Sequence, residues 1–280
     1  MKRLFDVRII LALCMALSLG AQSAAAAEEE LAEAPRSPAR SRGEGPYSQL
    51  ILRGVTLIDG TGSPARGPMD IVIEGNRITG IHSVGAPGTP INESVRPKAA
   101  EGATELDLSG HYVLPGFVDL HGHLGGSIRE TPAEYVLKLW MGHGITTISD
   151  PGSGNGVEWT LDHKQRSEAN EITAPRIEVY SAFGQDSEGP ITNAEEARDW
   201  VRMTADRGAD GIKFFGARPD IMGAAIDEAA KVGLLTTCHH GQTNVVWQNA
   251  LDSARMGLTS MQHWYGLPEA MFEGQLVQGY

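Results

Sequence analysis

From residue 112 onward six short apolar runs alternate with five stretches of helical spacing. The apolar runs fall at 112–120, 145–149, 176–181, 211–215, 234–238 and 258–262, and helices are predicted near 131–142, 155–168, 193–207, 219–232 and 244–256. Runs this short and apolar read as strands buried on both faces, and their alternation with helices implies a parallel sheet. Six such units with no glycine-rich dinucleotide loop in the first one favour an α/β fold of the (β/α)8 TIM-barrel kind over an open, doubly wound sheet. Asn193 is the predicted N-cap of one helix, with Glu196 placed to reach back to it.

The residues ahead of the barrel divide into three parts. Residues 1–27 have the order of a secretory signal peptide: basic Lys2, Arg3 and Arg8, an apolar run from Ile9 to Leu19, and four alanines at 24–27. That run is about half the ~20 residues a membrane-spanning helix needs, so no stable span is expected once the leader is cleaved. The expected location is the periplasm or the outside of the cell. Residues 28–47 read as a disordered linker rich in Ala, Pro, Ser, Glu and Arg. Residues 48–112 form a small, mostly β unit, with strands near 50–58, 70–74, 77–81 and 105–108 and a Gly75-Asn76 hairpin connection. With 35 acidic and 23 basic side chains the net charge is −12, which argues against a nucleic-acid partner. Only Cys238 remains after the leader, which excludes an intramolecular disulfide; a small apolar packing role is expected for it.

The chemistry concentrates where strands end. His121 and His123 close the first barrel strand, and side chains two apart on a strand share a side, so both imidazoles can reach one metal ion. Lys213 lies inside the fourth strand, a costly place for an ammonium unless it is paired or modified. His239 and His240 end the fifth strand and His263 the sixth. The carboxyl ends of barrel strands converge on one face, so residues distant in sequence become neighbours there. A metal site built on these residues is the reading they favour.

The stretch 113–123, Val-Leu-Pro-Gly-Phe-Val-Asp-Leu-His-Gly-His, resembles the first-strand motif of the amidohydrolase superfamily. Residues 144–150 and 257–266 resemble its second and sixth strands, and 57–62 with 70–73 resemble the N-terminal β-sandwich segment of its imidazolonepropionase and prolidase-like branch. The resemblance covers about residues 50–280 and implies two divalent metals, usually zinc, bridged by a hydroxide and by a carboxylated lysine. His121 and His123 would hold the more buried ion, Lys213 as a carbamate would bridge, and His239 and His263 would hold the outer one. His239 is preferred to His240 by its distance from Gly233. His240 is left as either a substrate or supporting contact, or a partly exposed loop histidine. Asp119 either orients a ligand imidazole or makes a backbone hydrogen bond at the strand end, and Tyr265 either meets substrate or packs.

The implied activity is hydrolysis of a C–N bond, amide or peptide, in a small molecule or dipeptide. Two alternatives stay open: a heterocycle deaminase with a mononuclear site, and an inert metal-binding fragment. The superfamily's aspartate base, at the end of the eighth strand, is expected beyond Tyr280. Residues 113–280 supply about six of eight units, and two more would need roughly 56 residues. The sequence is therefore read as part of a longer protein. A homo-oligomer is compatible with it.

Overall fold

The structure is a computed structural model and describes residues 45–241, 244–245 and 247–272. The leader at 1–27 and the linker up to residue 44 lie outside the described residues. Among those described, no helix is long and apolar enough to cross a membrane.

The first unit is a sheet of five strands around β1 (Gln49–Leu57). β1 pairs antiparallel with β2 (Arg66–Glu74), and β2 with β3 (Arg77–Ser83) across the Gly75-Asn76 turn. On its other side β1 pairs in parallel with β4 (Thr104–Asp107) and β5 (Tyr112–Val113). Alternation turns Val55, Leu57, Met69 and Ile71 to one face, where they form a small core. Asp70 is fully buried beside that core. Its carboxylate accepts from Arg53 at 2.7 Å, Arg96 at 2.9 Å and the Gly54 N–H at 2.9 Å, so a charge that would be costly alone is satisfied on three sides.

The second unit is a parallel sheet of six strands: β6 (Phe117–Asp119), β7 (Ile145–Gly152), β8 (Arg176–Ala182), β9 (Gly211–Phe214), β10 (Leu235–His239) and β11 (Ser260–Gln262). Each pairs with the next in chain order, from β6 to β11. A doubly wound sheet reverses its order at a switch point; this one never does, and it curls as a partial TIM barrel. The connecting helices are α1 (Ala133–Gly142), α2 (Val157–Glu168), α3 (Ala194–Asp206), α4 (Pro219–Val232) and α5 (Ala250–Arg255), with α6 (Leu267–Met271) after β11.

Two local expectations are corrected and a third holds. The run 112–120 is two strands, because Pro115 has no N–H for a ladder: Tyr112–Val113 joins the first sheet and Phe117–Asp119 opens the barrel. The helix expected at 244–256 is regular only over Ala250–Arg255. Asn249 caps it and Asp252 reciprocates, a complete capping box that stops the helix from extending backwards. Asn193 does cap α3, accepting from the Glu195 and Glu196 N–H groups at 3.0 Å. Glu196 reaches back as expected, meeting Asn193, and also accepts from the Thr192 N–H and hydroxyl.

Two apolar clusters fill the space between sheet and helices. Ile148, Ile177 and Val179 pack on Leu137 of α1 and on Val157 and Leu161 of α2. Ile212, Phe214 and Cys238 pack on Trp200 and Val201 of α3 and on Met222 and Ile226 of α4. Each such side chain stabilises the fold by about 1.5–3 kcal/mol when buried. Because outward residues are apolar, the alternate positions Lys213, Thr237, His239 and Gln262 are left for the opposite face.

Candidate active site

Three strand ends bring four imidazoles together. His121 and His123, just past β6, have ring centroids 5.4 Å apart. His263, just past β11, lies 4.6 Å from His121 and 4.9 Å from His239 at the end of β10. Tyr265 borders this group at 5.4 Å from His239 and 5.8 Å from His263, and Phe215 stands 5.8 Å from His239. Lys213 is 1% exposed, with its Nζ 5.5 Å from the centre of the Phe215 ring.

Gly122 makes the β6 end possible. A Cβ there would fall 2.1 Å from Ile148 Cδ1, so only glycine lets the two histidines ride this close over β7. The Gly122 N–H donates to Ser149 O at 3.0 Å, and Trp140 Nε1 donates to His123 O at 3.5 Å. His263 adopts a left-handed backbone, φ 61°, a conformation that non-glycine residues keep mainly where surrounding structure demands it.

The electrostatics suit metal ligation. Burial lowers the pKa of His121, His239 and His263, and the nearby Lys213 lowers each further. Neutral imidazole is the form that lends a lone pair to a cation. Lys213 itself is lowered to about 8 by burial, and among the described residues no carboxylate pairs with it. Cys238 faces the helical side, and burial pushes its thiol up to about 12, which makes it a poor thiolate and an ordinary packing residue.

Among the described residues, no group of three or more His, Cys, Asp or Glu side chains closes on one point as a ready-made metal cage. Two imidazoles on one tetrahedral ion have centroids about 5 Å apart, and the His121–His123, His121–His263 and His239–His263 separations of 5.4, 4.6 and 4.9 Å all lie near that value.

His240 does not face this group. It is 2% exposed, and its Nε2 bonds Ser253 Oγ of α5 at 2.8 Å, so the expectations of a substrate contact or of a partly exposed loop histidine are both corrected. Adjacent residues on a strand point to opposite faces, and His239 holds the inner one. Asp119 accepts the His121 backbone N–H at 2.8 Å, the backbone alternative of the two left open.

Two residues went unremarked in the sequence. Asp150 Oδ1 lies 3.2 Å from His123 Nδ1, and Gln262 donates to Leu120 O and Thr237 Oγ1 while its amide also meets the His121 ring. The signals for either were its position at a strand's carboxyl end and its place in the stretches 144–150 and 257–266.

No family model matches the chain. An adenine deaminase of Methanoculleus marisnigri is 51% identical over 140 residues, 48% of this chain and 26% of its own. An N-acyl-D-aspartate deacylase of Alcaligenes xylosoxydans xylosoxydans is 28% identical over 161 residues, 57% of this chain and 26% of its own. The crystal structure of a Xaa-Pro dipeptidase with bound methionine superimposes with a TM-score of 0.57 at 19% identity, over 76% of this chain and 61% of that one. The chain thus spans about a quarter of the length of these curated relatives.

Proposed function

We propose that the chain is part of a member of the amidohydrolase superfamily, and that the full-length protein is a metal-dependent hydrolase cleaving the C–N bond of a small amide or dipeptide. The observation that carries this reading is the meeting of His121, His123, His239 and His263 around the carboxyl-terminal ends of β6, β10 and β11, with Lys213 buried in β9. His121 and His123 would hold one divalent ion, His239 and His263 a second, and Lys213, as a carbamate, both. Zinc suits this nitrogen and oxygen donor set. When bound, such an ion pair supplies an activated water and polarises the scissile carbonyl.

The chain's own residues prepare that chemistry. A lysine held near 8 keeps a neutral amine fraction at neutral pH. Its nitrogen lone pair forms the N–C bond to CO2, and the proton it loses leaves to solvent, so a buried cation becomes a buried anion that needs a cation beside it. Lowered histidine pKa values keep three of the imidazoles neutral for ligation. Tyr265 and Phe215 form an aromatic border at the mouth, suited to the apolar part of a substrate. The leader pattern of residues 1–27 supports a periplasmic or secreted location.

The test is to purify the full-length protein, measure bound metal and assay an amide and dipeptide library before and after chelation. Activity is expected to vanish on chelation and return with zinc. Protein prepared with ample zinc that binds none would sink the reading. The adenine deaminase segment, 51% identical, favours a second reading, deamination of a heterocycle. Ammonia release from adenine with no carboxylate formed from any amide would select it.

A further inference from the structure

We propose that Asp150 is the positioning residue of the first metal pair: its carboxylate takes the Nδ1–H of His123 and thereby turns Nε2 to the ion. This rests on the hydrolase reading above. Asp150 is 2% exposed near the end of β7, and its Oδ1 lies 3.2 Å from His123 Nδ1. A histidine ligand has two nitrogens, and a partner on one selects the other for the metal.

The packing leaves Asp150 little else to do. Among the described residues, its one charged or ionisable partner is His123; no lysine or arginine reaches it. A buried carboxylate with so few partners is a poor structural device, since an apolar or amide residue of the same shape would avoid the desolvation cost. Its neighbourhood, by contrast, is built to hold His123 in place. Gly122 rides against Ile148, the Gly122 N–H bonds Ser149 O, and Trp140 bonds His123 O. These contacts fix the backbone of the His121–His123 segment over β7, and Asp150 fixes the ring.

The assignment is also selective. Of the four imidazoles, His121 meets a neutral amide, that of Gln262, and among the described residues His239 and His263 have no carboxylate partner. Asp119, adjacent to the motif and the more obvious candidate by sequence, is occupied with the backbone N–H of His121. A carboxylate behind an imidazole raises its basicity as a ligand, whereas an amide only orients it. The two histidines of one pair are therefore held by partners of different charge, one on β7 and one on β11.

The experiment compares wild type, Asp150→Asn, His123→Ala and the double variant in the full-length protein, with zinc affinity measured by chelator competition and apo stability by thermal melting. Asp150→Asn should weaken zinc binding on the order of 10–100-fold while the metal-free protein melts no earlier than wild type. In the His123→Ala background the same change should add nothing. Nitrogen-15 shifts of the His123 ring give a readout independent of metal: wild type should carry its proton on Nδ1, and Asp150→Asn should show the other tautomer populated. Unchanged zinc affinity with a lowered apo melting temperature would make Asp150 a structural residue and overturn the assignment alone. A wild-type protein that takes up no zinc would overturn the hydrolase reading and this assignment with it.

Discussion

The side-chain amide of Gln262 donates to the backbone carbonyl of Leu120, 142 residues earlier, at 3.2 Å. Its second donor bond, 3.0 Å to Thr237 Oγ1, ties in β10 as well. One buried amide thus links the ends of the first and last strands of the sheet and also meets the His121 ring. Replacing it with leucine removes both bonds and leaves the buried Thr237 hydroxyl without this donor, at a cost of about 1–3 kcal/mol. The expected result is a lower urea midpoint together with weaker zinc binding. Lost zinc binding at unchanged stability would show that the link matters only to the site.

His239 and His240 separate cleanly by substitution. His239→Ala should remove one of two zinc equivalents, because its ring is inside the imidazole group. His240→Ala should keep both and instead cost roughly 1–3 kcal/mol, since it takes the ring's hydrogen bond away from the buried Ser253 hydroxyl, which keeps its bond from Gln248. Metal analysis and denaturation of the two variants decide it. Retained zinc in His239→Ala would reverse the assignment.

Lys213 predicts a chemical signature. Carbon-13-labelled bicarbonate should give wild-type protein one carbamate carbon resonance that Lys213→Arg lacks. Lys213→Ala should lose at least one ion, because each histidine pair is then left with two protein donors. Full zinc content in Lys213→Ala would argue for a site that never used the lysine.

Gly122→Ala would place a methyl 2.1 Å from Ile148 Cδ1 and 2.4 Å from its Cγ1. Overpacking of this kind costs about 1–3 kcal/mol, and here the strain lands between the two histidines. Weaker zinc binding is expected, with partial recovery in Gly122→Ala/Ile148→Ala, which removes both clashing atoms. No recovery would mean that the glycine is needed for its backbone and not for space.

Acid should loosen the first sheet through Asp70. Burial alone would raise its pKa, but the Arg96, Arg53 and Gly54 hydrogen bonds outweigh burial and hold it below the usual 3.8. A carboxylate lowered on folding stabilises the fold above its unfolded pKa, and that contribution drains away as pH falls through the folded value. Urea midpoints should therefore hold steady down to about pH 5 and fall below about pH 4. Asp70→Asn should cost about 3–5 kcal/mol at neutral pH, where it breaks a buried pair, and lessen the acid dependence. An unchanged acid profile would place the sensitivity elsewhere.

By itself the sequence determined the order of strands and helices, the parallel sheet, and the strand ends that carry His121, His123, His239 and His263. All of these rest on local patterns: apolar runs, helical spacing, and the i, i+2 rule for one face of a strand. It also located Lys213 inside an apolar strand, where its chemistry had to be unusual. The tertiary structure alone decided which of His239 and His240 faces inward, that Asp150 and not Asp119 meets an imidazole, and that Gln262 bridges the sheet. It also divided 112–120 between two sheets at Pro115. Each of those depends on register between strands tens of residues apart, and a one-residue slip in register moves a side chain to the other face. Spacing along the chain can nominate ligands; only the pairing of strands selects what stands behind them.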